Sequence, residues 1–179
     1  MMQMENLIEG WRNSKFESLP YLFGEDVPLY EQFLKDRSKT YASLREYVSS
    51  DLFGNPQDKS LHLGLLPLPY IGDLKNANIF ILMLNPGIHV GDYLVGERQY
   101  SHFRQLMLRN IRQEEFETEY PFLFLNPEHS WHPGFEYFHA RFDNLAWEIK
   151  DEVGSYPNAL SLLAKNIACL ELIPYPSKS

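Results

Sequence analysis

The feature that most restricts this chain is the run from Ile79 to Leu84, Ile-Phe-Ile-Leu-Met-Leu, which stops at Asn85-Pro86-Gly87. An unbroken apolar run leaves no polar face. It predicts a strand covered on both sides, the pattern of a central parallel strand between layers of helices. Pro86 cannot donate to a sheet ladder and ends the strand. Gly87 permits a backbone with positive φ and lets a ligand approach closely. Asn85 is then presented at the carboxyl end of a strand, where ligands bind in open α/β sheets. Its side chain offers one carbonyl acceptor and one amide donor. Asn-Pro-Gly is equally an ordinary turn sequence.

The rest of the chain supplies what such a strand needs. Glu5 to Phe16 and Leu29 to Val48 read as helices, the second with Tyr30, Phe33, Leu34, Tyr41, Leu44 and Val48 as its apolar positions. "DLFGNPQDKS" is a turn-rich break, and "LHLGLLPLPYIGDL" reads as an extended approach to the sheet. Gly96 to Glu115 reads as the helix after the strand. Its core stripe is Phe103, Leu106, Met107 and Ile111, with Arg104, Arg109 and Arg112 on the solvent side. "PFLFLNP" is a short strand or extended loop. Phe135 to Val153 is a helix with Phe138, Phe142, Leu145, Trp147 and Ile149 as apolar candidates, and "YPNALSLLAKN" is another after Gly154. Ile167 to Ile173 is a second buried strand. This order predicts an α/β fold, a central parallel sheet flanked by helices.

At 179 residues the chain suits a single α/β domain over 1–179, with a helical N-terminal extension over about 1–55. Only two convincing central strands are present: either the N-terminal segment and "PFLFLNP" add strands, or, the favoured reading, this is the N-terminal part of a longer protein. The composition is 44% hydrophobic and 22% charged, enough for a packed core. Cys169, the single cysteine, lies in the apolar run "NIACLELIPY" and reads as a buried thiol, which fits a cytoplasmic location. No apolar run approaches the ~20 residues of a membrane helix, and "MMQMENLIEG" lacks the regions of a signal peptide. A net charge of −8 argues against nonspecific, charge-driven DNA binding while leaving room for a local groove.

"FILMLNPGIHVGDY" resembles the first active-site motif of the uracil-DNA glycosylase superfamily, nearest to its mismatch-specific uracil/thymine branch. The resemblance extends to "RQYSHFRQLML", similar to the aromatic-rich helix start that follows in that branch. It also takes in "IACLELIPY", similar to the strand whose end reads the flipped base. It spans roughly Leu66 to Tyr175 and implies DNA or a nucleotide as partner, no cofactor and no metal. By this resemblance Asn85 is the catalytic residue that orients water, and Pro86, Gly87, Tyr93 and Glu171 bind the base, Tyr93 by stacking. Three departures stand out. Leu84 replaces a small residue, Glu171 stands where an asparagine is expected, and the later Pro-Ser-containing motif has no counterpart, so one would fall beyond Ser179.

"NPEHSWHPGFEYFH" carries His129, His132 and His139 near Glu128 and Glu136. The His-x-x-His pair is a conceivable metal site, but the Pro- and Gly-rich segment reads better as structural or surface. Trp131 is either a stacking residue or a loop anchor. Three functions are therefore carried forward. They are a DNA-base glycosylase whose active site is expected to be incomplete within these 179 residues, a non-catalytic nucleotide- or partner-binding module on the same fold, and a metal-dependent hydrolase using His129 and His132.

Overall fold

The computed structural model describes residues 2–97, 101–114, 116 and 119–178. The fold is mixed helix and sheet. Helix α1 (Met2–Arg12) opens the chain. A continuous but irregular helical stretch follows: a 3-10 turn at Gly24–Asp26, α2 (Val27–Leu29), a π turn at Tyr30–Leu34 and a 3-10 turn at Lys35–Arg37. The helix expected over 29–48 breaks there. Strand β1 (Ser38–Lys39) intervenes before α3 (Leu44–Val48), because β1 pairs in parallel with β2 (Leu61–His62). Within the expected stripe Tyr30 is buried, whereas Phe33 and Val48 are exposed.

The larger sheet has three strands. These are β3 (Tyr70–Ile71), β4 (Ile79–Met83) and β5 (Ile167–Glu171), in the order β3-β5-β4. The pair β4–β5 is parallel, as expected, with Ile79 opposite Ile167 and Met83 opposite Glu171. β3 runs antiparallel to β5, so the sheet is mixed. Between β4 and β5 come α4 (Val90–Glu97), α5 (His102–Arg112), α6 (Pro133–Val153) and α7 (Tyr156–Asn166). Ser101 caps α5 by accepting from the Arg104 amide, and Ser155 caps α7 through Asn158. The single helix expected over 96–115 is two, and part of that span, residues 98–100 and 115, lies outside the described residues. "PFLFLNP" forms a buried 3-10 turn at Leu123–Leu125, not a strand.

Alternating residues of β5 face two cores. Ile167 and Cys169 join Phe122, Phe138 and Leu160 on the α6–α7 side. Ala168 joins Ile8, Trp11 and Ile111 on the α1–α5 side. Arg104, expected on the solvent side of α5, is buried there. Its guanidinium donates to the Phe16 carbonyl and the Tyr21 hydroxyl and lies over the Tyr21 ring.

The two edges of the sheet differ. At β3, two side-chain amides, one in α5 and one just past its end, take the place of a neighbouring strand. Asn110 accepts from the Gly72 amide and donates to the Tyr70 carbonyl. Gln113 accepts from the Leu74 amide and donates to the Gly72 carbonyl. Gly72 is required at this point. Its φ is +95°, and a Cβ would sit 2.7 Å from the Ile167 carbonyl oxygen. β4, expected at the centre and covered on both faces, is instead the opposite edge. Leu82 is 81% exposed, and Ile79, Phe80 and Leu84 are exposed too.

Candidate functional site

The parallel register fixes the geometry at the carboxyl ends of the strands. Met83 is opposite Glu171, and the amides of Leu172 and Ile173 donate to the Met83 and Leu84 carbonyls. Asn85, Pro86 and Gly87 begin two residues past Met83, so they and Glu171 share one end of two adjacent strands, about 5 Å apart. The Asn85 amide nitrogen donates to Ser177 Oγ at 2.8 Å and to the Pro86 carbonyl at 3.0 Å. Among the described residues its carbonyl oxygen takes no hydrogen bond. Pro86 is buried, and its carbonyl also accepts from the Ser177 amide. Gly87 does not adopt positive φ, and a Cβ there would meet open space. It therefore leaves room at the strand end, and no backbone strain calls for it.

Glu171 is partly buried, and its Oε2 is enclosed with no hydrogen-bond partner among the described residues. Burial lifts its carboxyl to about 7. Near neutral pH it thus spends much of its time protonated, able to donate as well as accept.

In place of an open face for stacking, Tyr93 is enclosed. Its ring stacks on Tyr47 at 4.9 Å and meets Tyr41 edge-on. Its hydroxyl lies 2.6 Å from His62 Nδ1, and His62 Nε2 lies 3.1 Å from Asp58 Oδ2. All three residues are buried. Asp58 is held below its usual range: burial opposes this, but hydrogen bonds from Ser60 and His62 outweigh it. An ionised Asp58 can only accept, so His62 carries its proton on Nε2 and receives the Tyr93 hydroxyl at Nδ1. Burial pushes His62 down and Tyr93 up, which keeps both neutral. The network ties the start of α4, and with it the loop after Asn85, to β2.

The histidine-rich segment is a second anchor. His129 Nδ1 donates to the Leu123 carbonyl. His132 Nδ1 accepts from the Gly134 amide, so its proton is on Nε2, 3.4 Å from Asp92 Oδ1. Phe103 and Phe124 each stack against His132, at 4.6 and 5.0 Å. Burial first, then the His129 and His89 charges, lower it to about 4, while burial raises Asp92 to about 6. The other Asp92 oxygen accepts from the His89 amide at the head of α4. Trp131 projects beside this pair, 57% exposed, with its edge on Phe103. Among the described residues no group of three or more His, Cys, Asp or Glu is placed to hold a metal, and no helix is long and apolar enough to cross a membrane. Cys169 is fully buried, and burial pushes its thiol to about 12, so it supplies no thiolate.

Sequence reasoning named Asn85 and Glu171 but missed the His62–Asp58 pair and Asp92. Asp58 and His62 stand four residues apart, a spacing that sequence reasoning passed over, whereas Tyr93 at His62 and His132 at Asp92 are brought in by the fold. Comparison with protein-family models, curated proteins and solved structures returns no match.

Proposed function

We propose that this chain is a uracil-DNA glycosylase-like α/β protein that binds a flipped or modified DNA base at the ends of β4 and β5 and hydrolyses its N-glycosidic bond. The observation that carries this reading is the register of Met83 with Glu171, which sets Asn85-Pro86-Gly87 and an unpartnered carboxyl side by side. A base inside a duplex is inaccessible and has to leave the stack before a pocket can hold it. The Asn85 amide nitrogen is committed to Ser177, which aims the side chain and leaves its carbonyl to orient a water at the anomeric carbon. Positive charge then develops on the sugar, as in other glycosidic cleavages. The open space at Gly87 admits the nucleotide. A protonated Glu171 offers a donor and an acceptor together, complementary to the N–H and C=O edge of uracil or thymine. When ionised it accepts only, and favours an amino-bearing edge.

One observation favours the second reading, a non-catalytic nucleotide- or partner-binding module. The Tyr93 ring is enclosed by Tyr41 and Tyr47, so it offers no face to a base. The two readings separate in a base-release assay on oligonucleotides carrying uracil, mismatched thymine or modified cytosines. Catalysis requires release by the wild type and a loss of several powers of ten in Asn85→Ala, the scale of lost positioning. Binding without release from any substrate leaves the module reading.

A further inference from the structure

We infer that the open edge of β4 is a self-association surface, on which a second copy of this chain adds its own β4 antiparallel about a two-fold axis. The inference does not rest on the proposed activity. Among the described strands β4 pairs only with β5. The Leu172 amide donates to the Met83 carbonyl, and the Glu171 amide turns the other way to Pro69, so alternation gives Ile79, Ile81 and Met83 to β5 and turns the backbone groups of Phe80 and Leu82 to the open side. Natural edges are usually blunted by Lys, Pro, a bulge or a covering element. The β3 edge is covered by Asn110 and Gln113. Ile79–Met83 has no such device.

The strand is also self-complementary, as a two-fold contact requires. Pairing centred on Ile81 sets Ile79 against Met83 and Phe80 against Leu82 of the other copy, an apolar match at each position. From Asn76 to Gly91 the sequence has no Asp, Glu, Lys or Arg, so two chains of charge −8 can meet here without like charges facing each other. Phe80 and Leu82 share a face with Ala168 and Leu170, the α1–α5 side, yet remain exposed because those helices stop short of β4. Leu84, Leu172 and Ile173 extend the patch. Ile79 is exposed on the opposite face, so apolar side chains flank the edge on both sides of the sheet.

The test is sedimentation equilibrium of the full chain over a wide concentration range, with amide exchange across 79–83. The expected result is a closed species of twice the 21.0 kDa chain mass, with the Phe80 and Leu82 amides protected at concentrations where it forms. Leu82→Lys should give a folded monomer with those amides exchanging freely, and Leu145→Lys, on the exposed face of α6, should remain dimeric. A wild-type monomer throughout, an open-ended series of oligomers, or a dimer that survives Leu82→Lys with 79–83 unprotected would each overturn the inference.

Discussion

The two edges of the three-stranded sheet solve the same problem in opposite ways. At β3 the Tyr70 carbonyl, both Gly72 groups and the Leu74 amide are matched by the side-chain amides of Asn110 in α5 and Gln113 just past its end, and Gly72 keeps its backbone close enough to Ile167 for the fit. At β4 the outward groups are bare and the side chains are apolar. The difference teaches that exposure at β4 is not a general property of a small sheet. The chain shields one edge with buried polar side chains and keeps the other charge-free.

The largest effect should come from removing the shield. Asn110→Leu keeps the volume but leaves the Gly72 amide and the Tyr70 carbonyl buried and unpaired. At about 1–3 kcal/mol for each orphaned group, the loss should be roughly 2–6 kcal/mol in urea unfolding. A loss under ~1 kcal/mol would mean that the β3 edge is wet and that the contrast between edges is false. Next is a control for satisfied polar groups elsewhere. Tyr93→Phe leaves His62 Nδ1 without its donor and should cost about 1–3 kcal/mol by the same accounting.

A third prediction uses pH at the end of β4 and β5. Burial holds Glu171 at about 7 in the folded chain, above its ordinary 4.5, so between these values the folded state keeps a proton that the unfolded state has lost. The stability tied to this group is fully present below about 4.5 and is lost as pH rises through about 7. Asp92, raised to about 6, acts in the same direction, and His132, lowered to about 4, acts in the opposite one. The Glu171 share is therefore the difference between wild type and Glu171→Gln. The variant should show a shallower decline in urea midpoint across that window. Equal slopes would place the Glu171 carboxyl in water. The smallest effect belongs to the open edge. In dilute solution Leu82→Lys should leave stability within about 0.5 kcal/mol of wild type, as exposed substitutions do. A large loss would show Leu82 to be covered within its own chain.

Much of the scaffold was legible because it is local. The 3.6 period and the Ser155 cap mark α7, Gly154 with positive φ marks the end of α6, and the apolar runs mark β4 and β5. Lateral position was not legible. An apolar run looks the same at the centre and at an uncovered edge, and only topology decides between them. The helix expected over 29–48 failed for a related reason: Ser38–Lys39 is claimed by β2, a partner more than twenty positions away. Arg104 fell on the polar side of a helical pattern, yet it is drawn inward by a carbonyl and a hydroxyl from the segment after α1. At the candidate site the residues at strand ends, Asn85 and Glu171, could be named because a strand end is a local event. The His62–Asp58–Tyr93 chain was not named: the Asp58–His62 contact spans only four residues, but the Tyr93 hydroxyl reaches His62 only once α4 is packed on β2.

The strand order has a consequence in time. β5 lies between β3 and β4 in space but comes after both in sequence. Neither edge strand has a partner until β5 has been made, and at about 5–20 residues per second a ribosome takes roughly 4–17 s to go from Met83 to Ile167. During that interval Ile79–Met83 is an apolar segment with nothing to pair with, in a chain already free to meet others like it. The shielding amides of Asn110 and Gln113 are made in the same interval, before the strand they help to hold has its neighbour. The sheet therefore closes late and all at once, and the emerging chain depends on slow encounters or on chaperones to keep β4 apart until then.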